Sequence, residues 1–315
     1  MWIGDFVRCH SVVRVLKQRW PDRPVDFLTS SLCAPLVEYM PGLRQGVISD
    51  LPRGKLPIGQ YLELARRLRS EDYGTALVML RTWKSALAPF LAGIPERTGF
   101  IGEGRFLLLN DLRRGERSLE RMIDCMGALA LPPGAKLPAE WPEPQIVVPA
   151  AKALAWRAQR RLTESRQVVA LAPGAVGPGK QWPTAHYAQV ARALADDGVA
   201  VWVLGGPQEK PLAAEIGSAG PHVVDLTGNN LGDAVVALSI ANAAVTNDSG
   251  LMHISAAIGT RTVAVFGPTS PRLWGPLNPL AAALEPPGEF ADVKQRRSAD
   301  VAPERVIAAL RSALA

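Results

Sequence analysis

Residues 243–271 read AAVTNDSGLMHISAAIGTRTVAVFGPTSP, and the order of segments in that stretch leaves few folds open. An apolar run at 243–246 stops at Asn247-Asp248-Ser249-Gly250. Apolar residues then recur at helical spacing from Leu251 to 258, and a β-branched run follows at 262–266. The pattern predicts a buried strand, a tight turn, a helix and a second buried strand, with the polar cluster at the carboxyl end of the first strand. Asp248 or Ser249 is a good helix N-cap, and Gly250 lets a ligand come close to the backbone. N–H groups without helical partners and the positive end of the helix dipole point out of such a turn. In an open parallel sheet ligands bind at that point, and an anion, most simply a diphosphate, is the natural occupant. Taken alone, the four residues also suit a plain turn with a good cap. His253 lies about one helical turn beyond Ser249 and points toward the same end, although a histidine there also serves as a packed core residue.

The rest of the chain repeats this alternation. Strands are expected at 25–29, 46–49 and 76–80, with helices at 32–40, 58–69, 84–92 and 118–131. In the second half strands are expected at 168–172, 199–204 and 223–225, with helices at 150–162, 184–196, 207–218, 231–241 and 303–314. Strand–helix alternation predicts parallel, doubly wound sheets. At 315 residues two domains are expected, each with its own core. Residues 132–149 hold six prolines and read as the linker, so the domains are expected at 1–140 and 141–315.

Composition narrows the partners. No apolar run is long enough for a membrane span, and Asp5, Arg8 and His10 stand where a signal peptide would be apolar. Cys9, Cys33 and Cys125 are far apart, which suits reduced thiols in a cytoplasm and no zinc site. The net charge of +6 fits an anionic substrate or an anionic membrane surface as well as general solubility. Nucleic acid is not expected, since aromatics are only 6% and no basic–aromatic binding motif occurs.

Five further constellations could carry chemistry. Trp2-Ile3-Gly4-Asp5 sets a carboxylate directly after glycine at an expected strand-to-helix turn. Asp5 there suits a helix N-cap or a general base. Pro173 to Pro183, PGAVGPGKQWP, is a glycine-rich loop with one lysine between a strand and a helix. Backbone amides around Gly174 and the Lys180 charge suit a phosphate, although the loop is no Walker A motif because Gln181 follows the lysine. Beyond the 199–204 strand, Glu209 is placed to accept ribose hydroxyls, or to stand as a solvated helix-start residue. Asp225-Leu226-Thr227-Gly228 is a turn after the next strand. In the first half Arg81, Lys84, Arg97 and Arg105 form a basic group that is either an anion site or a solvated face.

TNDSGLMHISAA followed by VAVFGPTSP resembles the signature of the bacterial lipopolysaccharide heptosyltransferases of glycosyltransferase family 9. The resemblance runs through Trp2-Ile3-Gly4-Asp5, KSALAPFLAGIPERTGF (84–100), LLND (108–111) and PGAVGPGKQWP. It is closest to the heptosyltransferase II branch, since Ala175 and Val176 stand where heptosyltransferase I relatives carry threonines. The resemblance implies a GT-B fold, two Rossmann-like domains facing a cleft. It implies inverting transfer of L-glycero-D-manno-heptose from ADP-heptose to the inner core of nascent lipopolysaccharide, a Kdo-lipid A already bearing heptose. Asp5 matches the proposed base. Lys180, Gly174, Asp248, Ser249, Gly250, Leu251, His253, Glu209 and Thr227 fall on the donor side, and Arg81, Lys84 and Arg97 on the acceptor side. It also implies a cytoplasmic enzyme touching the inner membrane peripherally, without a resident cofactor. The sequence has no carboxylate cluster that calls for a divalent ion, and by itself it leaves metal dependence open. The family carries an apolar strand before the Trp-x-Gly-Asp turn. Its absence ahead of Trp2 would leave two open edges in the first sheet. A nucleotide-sugar epimerase on the same scaffold and a non-catalytic two-lobed sugar-binding protein are the competing expectations. An NAD oxidoreductase is disfavoured, as no GxGxxG follows an early strand.

Overall fold

The computed structural model describes residues 2–52, 54–162 and 166–315. The chain divides into two compact units. The first comprises Ser11–Ala34 and Gly42–Pro142; the second comprises Trp2–His10, Pro35–Pro41 and Glu143–Ala315. The main boundary, at Pro142, falls inside the proline-rich stretch, where rings fix φ and withhold backbone donors.

In chain order the elements up to that boundary are α1 (Ile3–Arg19), β1 (Asp26–Thr29), α2 (Ala34–Val37), β2 (Gln45–Ile48), α3 (Ile58–Ser70), β3 (Thr75–Leu77), α4 (Trp83–Ala92), β4 (Glu96–Phe100), β5 (Asp111–Arg113) and α5 (Met122–Ala128). Within the first unit β1 pairs with β2, while β3, β4 and β5 form a separate sheet, all parallel. No described strand joins β1 to β3. The core lies where the amphipathic α3 sets Tyr61, Leu64, Ala65 and Leu68 against Ala88, Ala92 and Ile94. Gly93, left-handed at φ 74°, closes α4.

The second unit continues with α6 (Ala150–Gln159), β6 (Val168–Ala172), α7 (Thr184–Asp196), β7 (Ala200–Val203), α8 (Lys210–Gly217), β8 (Val223–Asp225), α9 (Leu231–Ile240), β9 (Ala243–Asn247), α10 (Gly250–Ile258), β10 (Arg261–Val265), α11 (Pro271–Trp274), β11 (Ala281–Leu284) and α12 (Pro303–Leu314). Six parallel strands run in the order β11-β10-β9-β6-β7-β8. β6 and β9 are buried at every residue, as strands covered on both faces must be. Val169, Leu171, Val201, Val245 and Val263 pack against Trp182, Tyr187 and Leu194 and against Val306 and Leu310 of α12. His10 accepts the Gln145 amide at Nδ1 (2.9 Å) and so donates from Nε2 to the Pro41 carbonyl (2.7 Å), joining three segments of this unit.

Several elements depart from the sequence expectations. α1 begins at Ile3, so Asp5 sits in the first turn of a helix and not at a strand-to-helix turn. The helix expected at 118–131 is confined to α5, because residues 116–118 form a 3₁₀ turn and Leu119 is extended. That expected at 32–40 keeps only α2, and that at 207–218 opens with a 3₁₀ turn over Pro207–Glu209. β4, β5 and β11 lack a strand signal: β4 opens with Glu96 and Arg97, β5 is Asp-Leu-Arg, and β11 is Ala-Ala-Ala-Leu, apolar but of low strand propensity. Among the described residues no helix is long and apolar enough to cross a membrane.

Candidate functional site

The chain order of the six-stranded sheet reverses between β6 and β9. From β6 the connections run outward through β7 and β8; from β9 they run the other way through β10 and β11. The loops leaving the carboxyl ends of two such strands diverge and leave a crevice. Here those loops are residues 173–183 and 247–249, the two segments with phosphate-loop character.

Asn247 joins them. Fully buried, it accepts the Trp182 amide at Oδ1 (3.0 Å) and donates from Nδ2 to the Pro173 carbonyl (2.7 Å). Lys180 reaches over to Asp248, Nζ to Oδ2 2.7 Å, and the Thr269 hydroxyl donates to the same oxygen (2.7 Å). Asp248 is thus a hub for the loops after β6, β9 and β10. It does not cap α10.

Ser249 stands at the N-cap of α10 with an extended backbone, but its side chain makes no capping bond. Its hydroxyl is buried without a hydrogen-bond partner, beside the unpaired first-turn amides of Gly250 and Leu251. A buried unpaired hydroxyl is costly, so an acceptor or donor delivered there is bound with little competition.

The start of α1 packs against this same helix. A Cβ on Gly4 would lie 2.6 Å from His253 Cδ2, and one on Gly250 2.7 Å from Ile3 Cβ. Only glycine allows the two helix starts to approach so closely, which accounts for both residues. Buried Arg8, three residues after Asp5, donates from Nη1 to Asp5 Oδ1 (3.1 Å) and from Nη2 to His253 Nε2 (3.0 Å) and the Trp274 carbonyl (2.5 Å). Its guanidinium also lies 5.4 Å from the Trp274 ring centre. Burial pushes Arg8 downward, while Asp5 and then Asp248 push it back. Burial, reinforced by Arg8 and Lys180, holds His253 well below the ordinary histidine range, so the ring is neutral near pH 7.

At the β7 end, Glu209 accepts the Gly206 amide (2.7 Å) and lies across Gly174, 2.8 Å from where a Cβ would stand. It is half-buried, and its bond to Gly206 caps the start of the 3₁₀ turn over Pro207–Glu209. Thr227 is buried, and its amide and hydroxyl both donate to Asp225 Oδ1 (2.8 and 2.6 Å). Among the described residues no group of three or more His, Cys, Asp or Glu is placed to hold a metal ion.

The basic residues of the first unit are more varied. Exposed Arg81 pairs with Glu116 (2.6 Å), and Lys84 Nζ reaches the Lys55 carbonyl (3.1 Å). Arg97 is engaged by the carbonyls of Ile94 (2.5 Å) and Leu108 (2.8 Å). Arg105 is buried, and donates twice to the Phe100 carbonyl (3.0 and 2.6 Å) and to that of Leu80. These two fasten β4 and the turn after it.

Thus the second unit brings Asp5, His253, Lys180, Asp248, Ser249, Gly250 and Leu251 into one connected set, with Gly174 and Glu209 along the same strand ends. Sequence reasoning missed Asn247, Thr269 and Arg8 as parts of it. Asn247 stood in the polar cluster read as the turn, with no role of its own. Arg8 stands three residues after Asp5, a helical ion-pair spacing, but its partner His253 lies 245 residues away and left no local signal.

The chain matches the family described as Glycosyltransferase family 9 (heptosyltransferase) over residues 61–300. It is 36% identical over 298 residues to lipooligosaccharide heptosyltransferase 2 of Haemophilus influenzae, covering 90% of this chain and 86% of that protein. It is 34% identical to lipopolysaccharide heptosyltransferase 2 of Escherichia coli K12, covering 99% and 96%. The solved structure of E. coli ADP-heptose LPS heptosyltransferase II superposes with a TM-score of 0.88 at 32% identity, covering 100% of this chain and 96% of that one.

Proposed function

This chain belongs to glycosyltransferase family 9, the heptosyltransferases, and on that premise we propose that it moves a heptosyl group from ADP-heptose to the inner core of lipopolysaccharide, in the manner of heptosyltransferase II. The observation that carries this reading is the anion site at the sheet's reversal point: the partnerless Ser249 hydroxyl, the first-turn amides of α10 and Lys180. A diphosphate supplies oxygens to the Ser249 hydroxyl and the first-turn amides, and draws Lys180 away from Asp248.

The chemistry follows from residues on either side of that site. Asp5 takes the proton of the acceptor hydroxyl as its oxygen attacks the anomeric carbon. The C1–O bond to the diphosphate breaks with its electron pair on the leaving phosphate. Lys180, released from Asp248, and the α10 amides stabilise that charge as it develops. Glu209 beside Gly174 receives the ribose hydroxyls, and the backbone around Thr227 faces the adenine. Arg81 and Lys84 meet acidic groups of the acceptor, with Arg97 holding the backbone near them. Phe106 and Leu107, 61% and 77% exposed on a turn anchored by Arg105, give the first unit an apolar contact for the cytoplasmic membrane surface from which a lipid-borne acceptor is presented.

The test is to incubate the full chain with ADP-heptose and Kdo-lipid A, with and without its first heptose, and to follow ADP release and acceptor mass. Heptose-dependent transfer, reduced about 10²–10⁴-fold in D5N with donor binding retained, is expected. Donor consumption with no acceptor present would point instead to an epimerase, and unimpaired D5N would remove Asp5 from its role.

A further inference from the structure

We infer that Arg8 is a positioning residue for the transfer: its single guanidinium sets the Asp5 carboxylate, the tautomer of His253 and the 270–275 turn relative to one another. The inference rests on the transferase reading for its kinetic consequence, but not for its geometry.

Arginine has donors only, so each of its bonds has a known polarity. Its bond to His253 obliges Nε2 to accept, and the ring proton must lie on Nδ1. Its bond to Asp5 engages Oδ1 and leaves Oδ2 to receive the acceptor proton. The third bond and the ring contact tie Trp274 to the same group, while Thr269 anchors the other end of that segment to Asp248. A planar fork does this where an ammonium cannot, because its donors diverge at fixed angles. Burial makes the arrangement stiff: Arg8 is 4% exposed, so its guanidinium has little water to turn to.

Charge accounting gives the arrangement a purpose. Before transfer, Asp5 and Asp248 balance Arg8 and Lys180, and His253 is neutral. During transfer the acceptor proton moves to Asp5 Oδ2, and the negative charge passes to the departing diphosphate. Arg8 keeps its charge while its partner loses its own, so a positive group stands at the reaction centre at the moment an anion forms there.

The experiment uses the full chain and the variants R8M and R8K. In histidine-¹⁵N-labelled wild type, the His253 ring is expected as the neutral Nδ1-protonated tautomer, and in R8M as the Nε2-protonated form or an exchanging mixture. With ADP-heptose and heptosylated Kdo-lipid A, R8M is expected to lose about 100-fold in kcat, the scale of a misplaced reacting group. Its donor KM should stay within roughly threefold, since the bonds lost are not uniform binding contacts. R8K should remain at least about tenfold down, because one ammonium cannot span three acceptors. If R8M does not fold, R8K and the wild-type tautomer still decide. A wild-type ring protonated on Nε2, ring shifts unchanged in a folded variant, or both variants turning over like wild type would overturn the inference. Absence of transfer by wild type would defeat the transferase reading alone, with the tautomer measurement still judging Arg8.

Discussion

Asn247→Ala is the sharpest test of how the candidate site is held together. The asparagine side chain is fully buried and satisfies two backbone groups on the opposite loop: the Trp182 amide and the Pro173 carbonyl. Alanine leaves both unpaired in a closed environment. Each such group costs about 1–3 kcal/mol, and partial relaxation keeps the sum near the lower half of the range, about 3 kcal/mol. For a unit of this size each kcal/mol moves the melting midpoint by about 2–4 °C, so a fall of about 6–12 °C is expected. Asn247→Asp should be no better: a carboxylate can still accept from Trp182, but it turns an anion toward the Pro173 carbonyl where a donor stood. Because Asn247 sets the register of Lys180 against Ser249, the donor KM should rise in both variants. The assay is a thermal melt with and without ADP, alongside donor-saturation kinetics. A drop under about 2 °C would mean that these bonds contribute little net stability. A large drop with an unchanged donor KM would refute the claim that Asn247 aligns the two loops.

Four other outcomes follow from the same contacts. His253 binds a proton more readily unfolded than folded, so stability should fall as pH drops below about 6.5, by at most about 1.4 kcal/mol per pH unit; melts across pH 5–8 should show this slope flattened in H253Q. Gly4→Ala drives a methyl into the His253 ring and should cost about 1–3 kcal/mol in denaturant titration, with transfer impaired as well. K180M should lose about 10²-fold or more in kcat with ADP-heptose while folding normally, because it deletes charge stabilisation of the leaving group. Burial raises the Cys9 thiol to about 12, so alkylation followed by mass spectrometry should modify Cys9 only after unfolding.

Much of this architecture is written in local pattern. β6, α7 and α12 lie where apolar periodicity puts them, since a strand buried on both faces needs an uninterrupted apolar run, and an amphipathic helix needs a 3.6-residue repeat. The phosphate-loop character of 173–183 and 247–250 was equally legible, because glycine, a lysine and a capping cluster after a strand are local facts. The short strands β4, β5 and β11 were not. Charge in β4 and β5 and alanine in β11 give little strand propensity, and pairing with neighbours makes them strands.

The sequence by itself determined that the second half would be a parallel α/β unit with a polar strand-to-helix turn at 247–250 of a kind suited to an anion. It could not say which turn residue would bind and which would brace. Tertiary structure decided that Asn247 braces, that Asp248 is shared by Lys180 and Thr269, and that Ser249 is left with an unused hydroxyl. It also brought Arg8 of α1 to His253 of α10. The reason is one of range. Periodicity fixes which face of an element is buried, whereas a hydrogen-bond partner is fixed by whichever distant element comes to cover that face.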